Sequence, residues 1–77
     1  MIVITFYTHH SAQMTFRVLK RESVNSRMAP VPRSLSSSCG SCVIVESDAI
    51  DLNLLDEDYE AVYKFDGKSY VKISSNE

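Results

Sequence analysis

Residues Ile2-Val3-Ile4-Thr5-Phe6-Tyr7 form an almost unbroken apolar run, rich in β-branched and aromatic side chains, in a chain of 77 residues. Such side chains favour extended backbone. A run without regular polar alternation predicts a central strand covered on at least one face, spanning Ile2 to Tyr7. The run has no basic flank and no small-residue cleavage site, and it is far too short to span a bilayer. A buried strand is therefore expected, in a chain with no membrane association and a cytoplasmic location. In that reducing compartment two cysteines are expected to be thiols, not a structural staple.

A chain of this length has room for one domain, residues 1–77, with a thin core. After the first strand, Thr8 offers an N-cap hydroxyl. Ala12, Phe16 and Leu19 then recur at helical spacing with Thr15 on the same side, which predicts a helix from about His10 to Arg21. Arg17, Lys20 and Arg21 point elsewhere and are cations suited to a helix C-terminus. Val24 to Ala29 reads as a second strand, with Val24, Ser26 and Met28 on one face; Pro30 and Pro32 end it. Arg33 to Ser41 is a loop by composition, and Cys42 to Glu46 is a third strand. Ser47 or Asp48 is expected to cap a second helix running to about Glu57 and burying Ile50, Leu54 and Leu55. Glu60–Phe65 and Lys68–Ile73 flank Asp66-Gly67, the pair favoured at the tip of a two-residue type I′ hairpin. Ser74 to Glu77 is expected to fray. The order β-α-β-β-α-β-β closes most simply as a small α+β fold. It would be a ferredoxin-like split βαββαβ sandwich with a C-terminal β-hairpin and helices on one face of a mostly antiparallel sheet.

The formal net charge is −2, from eight Lys and Arg against ten Asp and Glu. The acids concentrate between Asp48 and Glu60, and the bases are scattered singly. Nucleic-acid binding needs basic residues gathered on one surface, so nucleic acid is not an expected partner. The run Asp56-Glu57-Asp58 reads as a solvated turn, and Tyr63 and Tyr70 as packing residues of the hairpin.

Hydrophobic patterning does not account for Pro30-Val31-Pro32-Arg33-Ser34-Leu35-Ser36-Ser37-Ser38-Cys39-Gly40. Two prolines stiffen the entry, serines including Ser38 supply hydroxyls, and Gly40 is free to take positive φ beside the thiol. Successive N–H groups in such a turn can cradle an anion. With Arg33 they would favour a thiolate on Cys39 and make it a nucleophile or a sulfur carrier. The plainer reading is a mobile serine-rich connection with an incidental cysteine.

Cys39-Gly40-Ser41-Cys42 is a CxxC, and three readings compete for it. A redox dithiol fits the spacing, with Cys42 as a resolving thiol, but a strand follows where thioredoxin-type sites have an activating helix N-terminus. Half a zinc site would need two further ligands, and His9 and His10 are adjacent, not spaced for joint ligation; no metal and no cofactor is expected. The reading preferred here makes Cys42 a small apolar core residue at the start of a strand. His9 and His10, between first strand and first helix, are either a surface pair or proton donors and anion partners near the thiol.

The string Phe6-Tyr7-Thr8-His9-His10, a helix ending in Leu19-Lys20, and Pro30-Val31-Pro32-Arg33 followed by Ser36-Ser37-Ser38-Cys39-Gly40 together resemble a family of small bacterial selenium/sulfur carrier-like proteins. The resemblance runs from Ile2 to about Lys64. It implies that Cys39 is the family's cysteine, flanked by Arg33 and Gly40, and that the thiol receives sulfur or selenium and passes it on. A cysteine desulfurase-like protein would then be the donor, and a second protein the acceptor. Cys42 departs from the family pattern, where a small or apolar residue is expected. Three functions follow for testing: a non-enzymatic thiol carrier, a CxxC thiol–disulfide redox protein, and a non-catalytic anion- or partner-binding module. The carrier is the expectation carried forward; the sequence leaves the oligomeric state open.

Overall fold

The computed structural model describes residues 1–76. Its elements are β1 (Ile2–Phe6), α1 (His9–Arg21), β2 (Ser26–Pro30), β3 (Ser41–Val45), a 3₁₀ turn (Leu52–Leu54), β4 (Tyr59–Phe65) and β5 (Tyr70–Ser75). They form a small α+β fold, one helix packed on a five-stranded antiparallel sheet of order β2-β3-β1-β4-β5. The apolar run lies in the middle, with Ile2 to Phe6 all buried. Because β3 runs antiparallel between them, β1 and β2 point the same way and α1 crosses from one to the other. This split arrangement is compatible with a ferredoxin-like layout to which β5 is appended.

The strand's two faces build two cores. Ile2, Ile4 and Phe6 join Val43, Val45 and Val62 with Ala12 and Leu19 of α1, while Val3 meets Cys42 and Ile44 on the opposite face. Each fully buried aliphatic or aromatic side chain contributes roughly 1.5–3 kcal/mol, so β1 supplies much of what holds so small a domain. Thr5 is buried as well, and its hydroxyl donates to the Ala61 carbonyl at 3.4 Å.

Helix α1 begins one residue earlier than its spacing predicts. Thr8 caps it as expected, its hydroxyl accepting from the Ser11 N–H at 3.1 Å. At the other end Ser23 takes φ +60. Its N–H donates to the Lys20 carbonyl and that of Val24 to the Leu19 carbonyl, a Schellman closure that satisfies the last carbonyls.

The second helix does not form, and only the 3₁₀ turn Leu52–Leu54 remains of it. Side chains there compete with the helical ladder: the Asp51 carboxylate accepts from the Asn53 N–H at 2.9 Å and the Ser47 hydroxyl from that of Ala49. Acids without interleaved bases add repulsion along the segment. Ile50, Leu54 and Leu55 still pack on the helix-side core, as the spacing predicts. The segment is tied to α1 by Ser11, whose hydroxyl donates to Asp56 at 2.7 Å, and by Thr15, whose hydroxyl accepts from the Asp56 N–H at 2.9 Å.

The hairpin forms one residue out of the expected register. Phe65 pairs with Tyr70, and the tip is Gly67-Lys68 between Asp66 and Ser69. Gly67 takes φ +98, and the Asp66 carboxylate accepts from the N–H groups of both Lys68 and Ser69. That double acceptance moves the turn onto Gly67 and holds the carboxyl of Asp66 below the usual range. The expected frayed tail is instead structured as far as it is described. Strand β5 reaches Ser75, and Asn76 hydrogen-bonds the backbone of Glu57, Tyr59 and Glu60; Glu77 lies outside the described residues. Among the described residues no helix is long and apolar enough to cross a membrane.

Candidate functional site

The segment from Val31 to Gly40 closes on itself, with the Val31 N–H donating to the Gly40 carbonyl at 3.0 Å. A further tight turn inside it runs from the Leu35 N–H to the Pro32 carbonyl at 3.0 Å. The loop wraps the end of the sheet. Val31 and Leu35 lie against the Val3–Cys42–Ile44 face, whereas Cys39 packs against the helix-side core. Gly40 takes φ +75, as its place beside the thiol predicts.

Cys39 is a half-buried free thiol. Its Sγ–H donates to the Ser41 carbonyl at 3.3 Å, and its Sγ accepts from the Ser41 N–H at 3.4 Å. One residue thus meets the sulfur as donor and as acceptor. A thiolate in this position keeps the N–H and loses the carbonyl's favour. The hydroxyl of the same Ser41 lies 3.2 Å from His9 Nδ1, so the first turn of α1 is linked to the thiol through one residue. Ser37 anchors the loop to β1, its hydroxyl donating to the Phe6 carbonyl at 3.1 Å.

Ser38, directly before the thiol, is held by Glu60: its N–H and its hydroxyl both donate to that carboxylate at 3.3 Å. Glu60 reaches the loop because of an irregularity in the sheet. Thr5 pairs with Ala61 but Phe6 with Tyr59, so Glu60 is the extra residue of a bulge in β4. Bulges re-aim side chains in this way. A period-2 pattern gives no sign of one, which is why the sequence did not point to Glu60.

Cys42 sits differently from Cys39. It is fully buried on β3, on the face of Val3 and Ile44, and its Sγ–H donates to the Pro30 carbonyl at 3.6 Å. Burial first, and the neighbouring Cys39 second, push its thiol up to about 11, with Arg27 opposing weakly. The two cysteines therefore face separate cores, and both are free.

Of the other residues singled out from the sequence, Ser38 and Gly40 flank the thiol along the chain, with both donors of Ser38 turned to Glu60, and His9 is linked to it through Ser41. Arg33 and His10 are exposed and make no hydrogen bond or ion pair among the described residues. Ser41 and Glu60 join the site from outside that set. Among the described residues no three His, Cys, Asp or Glu side chains are grouped so as to hold a metal ion.

A family model described as "Putative Se/S carrier protein-like" matches residues 1–64, a stretch that includes the loop, both cysteines and Glu60. No curated protein and no solved structure matches the chain.

Proposed function

The chain belongs to the Se/S carrier protein-like family, and from that premise we propose that it carries a transferable sulfur or selenium atom on Cys39. The observation that carries this reading is the contrast between its two thiols. Cys39 is partly exposed on a loop and touched by one N–H donor; Cys42 is sealed in the core with its proton held. A carrier needs one reachable sulfur and no deep cleft. A dithiol enzyme needs two that are both reachable.

In the loading step the Cys39 thiolate attacks the outer sulfur of a persulfide on a cysteine desulfurase-like donor. A new S–S bond forms to Cys39 as the donor's own S–S bond breaks, and the donor sulfur leaves as a thiolate. Unloading runs the same exchange toward an acceptor protein. The Ser41 N–H favours the thiolate, and His9 steadies Ser41 from the other side. Arg33 and His10, both exposed, are available to an anionic group on the donor, and Gly40 gives the turn its handedness. The protein acts as a carrier, not a catalyst, in the reducing cytoplasm, where Cys39 stays free.

Intact-mass spectrometry after incubation with a cysteine desulfurase and cysteine tests this. One reductant-sensitive sulfur should appear on the wild type and on Cys42→Ser, and none on Cys39→Ser. A loss of two hydrogens in the wild type, abolished by either substitution, would replace the carrier with the dithiol reading.

A further inference from the structure

Away from the thiol, the second half of α1 and the outermost strand β2 enclose an open cleft of about 470 Å³, lined by Gln13, Phe16, Arg17, Lys20, Arg21 and Met28. Its floor is apolar: Phe16 and Met28 are only partly exposed and rest on the helix-side core. Its rim is cationic. Lys20 Nζ stands 5.8 Å from the centre of the Phe16 ring, which keeps that charge over the cleft. Neither Arg17, Lys20 nor Arg21 has a carboxylate partner among the described residues. Three unpaired cations around an apolar floor stand out in a chain whose net charge is −2.

We propose that this cleft docks an acidic segment of a partner protein, an apolar side chain resting on Phe16 and Met28 between carboxylates that meet Arg17, Lys20 and Arg21. The charge pattern selects that occupant. Nucleic acid would need a long basic track, whereas here the cations end at Arg21, which also lines a neighbouring hollow with Asp56 and Glu57, carboxylates that repel an extended polyanion. A short acidic stretch on a protein meets the cations and avoids that repulsion. Complementary charge of this kind speeds encounter and fixes orientation more than it adds affinity.

The location suits a partner that also reaches the loop. At 1.5 Å per residue, His9 and Lys20 are about 16 Å apart along the helix. A partner covering a typical ~800 Å² spans about 30 Å, enough for both cleft and thiol.

The test is a ¹⁵N chemical-shift titration with a fluorescein-labelled dodecapeptide of glutamates around a Leu and a Phe, repeated by fluorescence anisotropy at two salt concentrations. Shifts should centre on Phe16, Arg17, Lys20 and Met28, and binding should weaken with salt. The double substitution Arg17→Gln/Lys20→Gln, at exposed positions that leave the core intact, should weaken binding at least about tenfold. Cys39→Ser should bind as the wild type does, so docking and sulfur carriage succeed or fail separately. The proposal is overturned by shifts centred elsewhere, by unchanged affinity in the double variant, or by equal binding of a lysine-substituted peptide. A single-stranded oligonucleotide of equal charge that competes as well as the peptide would overturn it in favour of a polyanion site.

Discussion

Replacing Cys39 by serine leaves Cys42 as the sole thiol, and the structure sets how reactive that thiol will be. A cysteine titrating at an ordinary 9.0 is about one part in ten thiolate at pH 8; Cys42 of the wild type, pushed up to about 11, is about one part in a thousand, and burial, the larger cause, persists when the smaller contribution of Cys39 is removed. Alkylation by iodoacetamide should therefore slow by up to about a hundredfold from ionisation alone, and complete burial slows it further. In denaturant one thiol should react at once. The same shift has a stability consequence whose sign is fixed. The native thiol holds its proton more tightly than the unfolded one, so its contribution is fully present below pH 9 and is lost as pH rises toward 11. At ~1.4 kcal/mol per unit, about 3 kcal/mol disappears over that window. Urea melts of wild type and Cys42→Ala at pH 8 to 11 isolate this slope as the difference between the two proteins. If Cys39→Ser is alkylated within about tenfold of an unfolded cysteine peptide, or if the two melts run parallel across the window, the argument from burial is wrong.

Glu60→Ala removes both acceptors from Ser38, and should free the loop while leaving the sheet closed. Cys39 alkylation should quicken severalfold, at a stability cost of about 1 kcal/mol for a partly exposed pair of bonds; an unchanged rate would mean that the clasp does not restrain the thiol. Ser23→Gly relieves a left-handed backbone at φ +60 where the helix closes. The native-state relief of ~1–2 kcal/mol is partly offset by glycine's freer unfolded chain, so a net gain of about 1 kcal/mol should appear in urea denaturation.

Legibility followed the range of the interactions. The apolar run, the helix from Ala12 to Leu19 and the loop between Pro30 and Cys42 could be read because local pattern and final environment agree there. The second helix could not, because its fate rests on Asp51 and Ser47 turning back to bond their own backbone, a choice that apolar spacing at Ile50 and Leu54 does not record. The hairpin tip slipped by one because Asp66 caps two amides at once. Around Cys39 the sequence marked the places of Ser38, Gly40 and His9, but not that Ser38 turns both donors to Glu60 or that His9 meets Ser41. Glu60 and Ser41 themselves were not marked, since the first depends on a bulge and the second on how the peptide after Gly40 turns toward the sulfur.

The position of β1 has a consequence for how the protein is made. Its partners are residues 41–45 and 59–65, so this apolar stretch is synthesised well before either strand that pairs with it. At ~5–20 residues per second, Ile2 to Phe6 wait roughly 3 to 12 seconds before β4 exists to cover their second edge. During that interval a β-prone segment with an unpaired edge is attached to the ribosome. The cell's cost of this topology falls on the nascent chain, where a trigger for aggregation or a chaperone's first handhold would be these five residues.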